Sequence, residues 1–174
     1  RILKHIVGHG ITVHCTVTRQ QVQRDGYLED FVKFWSANEN VRQLWFSLYT
    51  PQIGEVAPEI LTPPDRERVI AALMSLRARY PKIGMPEGLV KQYATPPSSP
   101  DECIFALTTN CISADFEHKI TPCQFGGNPD CSQCGCIASA GLKAVRAHKI
   151  VGGTIRVGAI FETSVKIGKR LRSR

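Results

Sequence analysis

Six of the seven cysteines in this 174-residue chain fall within 34 residues: Cys103, Cys111, Cys123, Cys131, Cys134 and Cys136. Their spacing is C-x7-C-x11-C-x7-C-x2-C-x-C, and the close triplet lies in Cys131-Ser-Gln-Cys134-Gly-Cys136. A C-x2-C pair lets two sulfurs face one metal centre while backbone amides point at them, and the glycine between Cys134 and Cys136 leaves room for a close backbone approach. Thiolates are soft ligands that suit iron–sulfur clusters or zinc. A four-cysteine zinc site ordinarily uses two C-x2-4-C knuckles. One is present here, and no histidine follows at finger spacing, so iron and sulfide are the better reading. A zinc-binding interaction module without catalysis is the alternative. A redox switch that closes a Cys131–Cys134 disulfide is a third. A disulfide framework would distribute its bridges through a small secreted domain. Here about 100 residues of ordinary α/β sequence precede the cluster, and no secretion signal opens the chain, so the expectation is a cytoplasmic protein. The remaining thiol, Cys15, stands alone.

The elements that must position these thiols follow from periodicity. Arg1 to His9 has apolar residues at helical spacing and reads as the end of a helix stopped near Gly10. Ile11 to Thr18 alternates strictly: Ile11, Val13, Cys15 and Val17 share one face, and Thr12, His14, Thr16 and Thr18 the other. After Asp25–Gly26 a helix over Tyr27 to Ala37 buries Leu28, Phe31, Val32, Phe34 and Trp35. Val41 to Tyr49 is a second strand, stopped by Pro51. Thr62 caps a helix with Pro63 at its first position, running to about Arg79. Lys82 to Val90 holds a short strand broken by Pro86, and Thr95 to Pro100 is a linker. Strands alternating with helices imply a parallel sheet, and two or three strands cannot close a barrel. Cys103 to Cys136 is loop-rich, with too few apolar residues for its own core, so a bound metal centre would have to hold it. Ile137 to Val145 reads as a short helix, and Thr154 to Thr163 as a strand or amphipathic segment.

Charge is as uneven as the cysteines. The net charge is +7, yet residues 1–141 hold 13 Lys and Arg against 14 Asp and Glu, whereas residues 142–174 hold nine against Glu162 alone. The body is near neutral and supplies no basic groove, which argues against specific nucleic-acid recognition. The basic tail, Lys166 to Arg174, reads as a solvated, frayed end. Contact with acidic lipid or an acidic partner is the other reading of the same residues.

The run from Cys111 to Pro122-Cys123 resembles the auxiliary-cluster hairpin of radical S-adenosylmethionine (SAM) enzymes of the SPASM/twitch type, in which a cysteine leads into a β-hairpin ending in Pro-Cys. His118 stands where the usual glycine would be. Cys123-Gln-Phe-Gly-Gly-Asn-Pro-Asp-Cys131-Ser-Gln-Cys134-Gly-Cys136 is similar to the cysteine-rich tails of other radical enzymes of that superfamily. It departs from the standard SPASM order, which favours one auxiliary cluster over two. Residues 10–22 resemble the fifth strand of the radical SAM partial barrel, and residues 41–55 the sixth, with its Pro-x-x-Gly turn at Pro51 to Gly54. The family's C-x3-C-x2-C loop and glycine-rich strand are not among these residues.

The resemblance therefore implies the C-terminal half of such an enzyme: a partial (β/α) barrel fragment over 1–94, a cluster-binding segment over 95–141 and a basic tail over 142–174. It implies an auxiliary 4Fe–4S cluster held by Cys111, Cys123, Cys131 and Cys134, with Cys136 and Cys103 next in line. It also implies S-adenosyl-L-methionine as cofactor of the intact parent, cleaved reductively to a 5′-deoxyadenosyl radical. Thr16, Thr18 and Arg19 are the candidate cofactor contacts, and an electron donor such as flavodoxin or ferredoxin the partner. The substrate, a small molecule or a peptide, is left open. His14 reads as a hydrogen-bonded strand residue, Cys15 as a buried hydrophobe, and Trp45 and Tyr49 as core. His5, His9, His118 and His148 lack ligand spacing.

Overall fold

The computed structural model describes residues 8–147, 149–150 and 155–172; the expected helix end over Arg1 to His9 falls largely outside them. The alternating segment forms strand β1 (Ile11–Val17), and the aromatic, β-branched segment forms β2 (Val41–Leu48). The two pair in parallel, with Cys15 opposite Phe46 and Val17 opposite Leu48. Between them lie the short helix α1 (Arg19–Gln23) and α2 (Tyr27–Ser36). α2 starts at Gly26, whose φ of 73° is a left-handed value that glycine adopts without strain.

One face of the sheet carries the core. Cys15, Val17, Leu44, Phe46 and Leu48 pack on Leu28 and Val32 of α2 and on Val69, Leu73 and Leu76 of α3 (Pro63–Arg79). The expected buried set of α2 needs one correction: Phe34 is 62% exposed. Leu28, Phe31, Val32 and Trp35 follow the i, i+3, i+4, i+7 stripe, and residue 34 lies off it. Thr12, His14 and Thr16 line the opposite, open face.

The Thr62 cap forms as expected: its hydroxyl accepts from the Asp65 amide, and Asp65 accepts from the Thr62 amide in return. The expected strand over Lys82 to Val90 shrinks to a single parallel bridge from Ile83 to Leu44. Pro86 then caps α4 (Glu87–Gln92), because a proline that cannot donate to a ladder is well placed at a helix start. Tyr93, fully buried, donates its hydroxyl to the Phe46 carbonyl at 2.6 Å.

Beyond the linker lie α5 (Ile104–Thr108), a hairpin of β3 (Cys111–Ile112) and β4 (Lys119–Ile120), and α6 (Ile137–Ala147). The chain continues through β5 (Lys149–Ile150) and β6 (Ile155–Arg156) into α7 (Val157–Arg172). So of the segment read as a strand or amphipathic segment over Thr154 to Thr163, the described residues are helical from Val157, and α7 runs through the basic residues to Arg172. Gly158 lets α7 approach Arg146 of α6, and Arg146 pairs with Glu162 at 2.5 Å. The described residues close no barrel, and none of their helices is long and apolar enough to cross a membrane.

Candidate metal centre

The cysteine segment is fastened to the C-terminal end of β2, backbone to backbone. Leu48 donates its amide to the Gly135 carbonyl at 3.0 Å, and Gly135 donates to the Thr50 hydroxyl at 2.8 Å. Asp130 donates to the Pro51 carbonyl and Ile53 to the Asn128 carbonyl, both at 2.8 Å. Gly126 and Gly127 have φ of 62° and 59°. The Gln52 side chain fills the turn they make, accepting from the Asn128 amide at 2.7 Å, and a Cβ on Gly127 would stand 2.7 Å from that same oxygen.

Arg66 of α3 completes the clamp. Its guanidinium donates to the carbonyls of Tyr93 at 2.6 Å, of Gln133 at 3.1 Å and of Cys134. Among the described residues no carboxylate pairs with it. A half-buried cation thus stands behind the cysteine loop, held by carbonyl dipoles.

Five thiols line one narrow cavity: Cys103, Cys123, Cys131, Cys134 and Cys136. They come from three places: the start of α5, the end of the β3–β4 hairpin, and the CSQCGC turn that leads into α6. Cys103 is the hub. It is 7% exposed and lies near enough to disfavour the charged form of each of the other four. Burial pushes the Cys134 thiol up to about 12 and also raises Cys136, Cys123 and Cys131. Hydrogen bonds to sulfur work the other way. Cys134 Sγ accepts from the Cys136 amide at 3.5 Å; Cys136 Sγ accepts from the Ser139 amide at 3.5 Å and from Gln124 Nε2 at 3.2 Å.

Cys111 is placed differently from the other five. It pairs with Ile120 across the hairpin and neighbours Cys123, but it does not line the cavity. Of the four expected ligands, Cys123, Cys131 and Cys134 line the cavity and Cys111 does not; Cys136 and Cys103, next in line, both do. Ser139, Gln124 and Arg66 were missed. Serine in a small-residue helix, and arginine on a charged one, carry no spacing signal.

Thr16 is exposed on the open sheet face, and Thr18 caps α1, its amide donating to Gln21 Oε1 at 2.8 Å. Arg19 lies at the same strand end and pairs through Nε with Asp65 at 3.3 Å. His14 shares a 2.8 Å hydrogen bond with Ser47 on the open face, and Trp45 stands opposite it in the register. Cys15 is buried in the core, and burial pushes its thiol up to about 11. His118 pairs with Asp115 at 2.6 Å in an exposed turn.

Among the described residues, no three His, Cys, Asp or Glu side chains stand at the spacing of ligands to one metal ion. Comparison of the chain with family models, with curated proteins and with solved structures gives no match.

Proposed function

We propose that residues 103–136 bind a 4Fe–4S cluster and that the chain forms the C-terminal part of a radical SAM enzyme. The observation that carries the reading is the convergence of five thiols on one cavity at the C-terminal end of a parallel strand pair. That end of an open α/β sheet is where such folds bind ligands. A single zinc ion needs four ligands within about 2.3 Å of one centre. A cubane binds its thiolates through four separate irons and so takes a wider ring of sulfurs around a filled space. Five thiols lining one cavity supply the four that a cubane needs.

The cluster, when bound, supplies one-electron transfer. The chain's own residues then have defined tasks. Four of the five cavity cysteines serve as ligands. Amide donors from Cys136 and Ser139, with the Gln124 side chain, spread the thiolate charge. The half-buried Arg66 offsets the negative charge that four thiolates bring. Phe105, Phe125 and the prolines 97, 100 and 129 keep the walls apolar. Thr16, Thr18 and Arg19, at the end of β1, are the proposed contacts to S-adenosyl-L-methionine.

Anaerobic reconstitution with iron and sulfide tests the reading. It expects a brown protein absorbing near ~400 nm with about four irons per chain. Tight stoichiometric zinc with no iron uptake would overturn it. The radical part is checked separately by the coding frame upstream: a C-x3-C-x2-C loop there supports it, and a frame without one removes that chemistry while leaving cluster binding standing.

A further inference from the structure

Ser139 lies in the first turn of α6 with 7% of its surface exposed. Its hydroxyl is 3.2 Å from Cys103 Sγ, and its amide donates to Cys136 Sγ at 3.5 Å. One residue therefore touches two sulfurs that reach the cavity from different segments. It also lines that cavity itself.

The chemistry of the pair sets its direction. A thiol and a hydroxyl can each donate. A metal-bound cysteine is a thiolate and has no proton, so Ser139 must then donate to Cys103. A donor on a cluster thiolate withdraws charge from it and favours the reduced, more negative state of the cluster.

We propose that Ser139 is a positioning residue that joins Cys103 and Cys136 and raises the reduction potential of the cluster through its hydroxyl. This rests on the cluster proposed above. No proton leaves the serine; its hydroxyl stays a donor in both oxidation states, and one electron enters from an external reductant such as dithionite.

The test uses the full chain, reconstituted anaerobically as wild type, Ser139→Ala and Ser139→Thr. Alanine removes one oxygen and favours the helix more than serine does, so α6 is retained. A redox titration with dithionite is followed by the visible absorbance of the cluster. The expected result is equal iron content in all three, a midpoint potential lowered in S139A, and one restored towards wild type in S139T. An S139A potential equal to that of wild type would overturn the proposal. If S139A takes up no iron, S139T decides: a full cluster at the wild-type potential supports the role of the hydroxyl, and failure of both variants overturns tuning in favour of assembly alone. Wild-type protein that takes up no iron overturns the cluster reading itself, and the tuning role falls with it.

Discussion

Leu48 and Gly135 are in backbone contact: the Leu48 amide donates to the Gly135 carbonyl at 3.0 Å, and a Cβ on residue 135 would overlap the Leu48 carbonyl. The glycine inside CSQCGC is therefore demanded by the strand it lies against. Gly135→Ala must push the cysteine loop off β2, at a cost of about 1–3 kcal/mol, the usual range for overpacking. The expected outcome is a lower urea midpoint and iron uptake well below wild type. Wild-type iron content in G135A would show that the loop can dock elsewhere.

Position around the cavity separates Cys103 from Cys111. Cys103→Ser is expected to lose most of the bound iron, whereas Cys111→Ser, outside the lining, keeps it. Iron and sulfide analysis after reconstitution reads this directly. Cys15→Ser, in the core away from the cavity, serves as the control with full iron content.

Arg66 holds three carbonyls for which the described residues offer no other donor. Arg66→Met keeps the aliphatic packing and leaves those groups unpaired, at about 1–3 kcal/mol for each buried one. Denaturant unfolding of the metal-free chain should show a loss of about 2–4 kcal/mol, short of the simple sum because water reaches part of the site. Arg66→Lys should recover only a fraction, since an ammonium cannot reproduce the planar fork.

Asp65 makes acid stability testable. Burial alone would raise its carboxyl, but hydrogen bonds from the Thr62 hydroxyl and amide, together with Arg68, outweigh this and hold it below the usual aspartate value. A depressed carboxyl contributes stability that is complete above its unfolded value, about 3.9. That stability is lost as pH falls through the lower folded value. Asp65→Asn should cost about 1–2 kcal/mol at pH 7, the scale of a lost helix cap. The gap to wild type should close as the pH drops below about 3. A gap that stays constant with pH would contradict it.

The strands, the two long helices of the body and the Thr62 cap were legible because each rests on a local pattern: alternation in Ile11–Val17, a 3.6-residue stripe in α2 and a capping box at Thr62. The failures are equally physical. Lys82 to Val90 carries apolar residues that suit either a strand or a short helix, and Pro86 decided for the helix. Thr154 to Thr163 was left between a strand and an amphipathic segment because it is β-branched at its start, while the following Ser, Val, Lys and Ile extend a helical period. In the candidate site the sequence showed that thiols gather but not which ones share a cavity. That depends on backbone contacts to β2 and on Arg66, which are set by tertiary packing and leave no mark in cysteine spacing.

The bond from the Gly135 amide to the Thr50 hydroxyl spans 85 residues of chain. A contact of such long range cannot lead folding, because the entropy of closing so large a loop must be met before it contributes anything. The strand pair and its two covering helices, built from much nearer neighbours, have to form first and present the end of β2 as a template. The order expected for folding is thus sequential: the strand pair and its covering helices form first, and the thiol segment then lands on the end of β2 that they present.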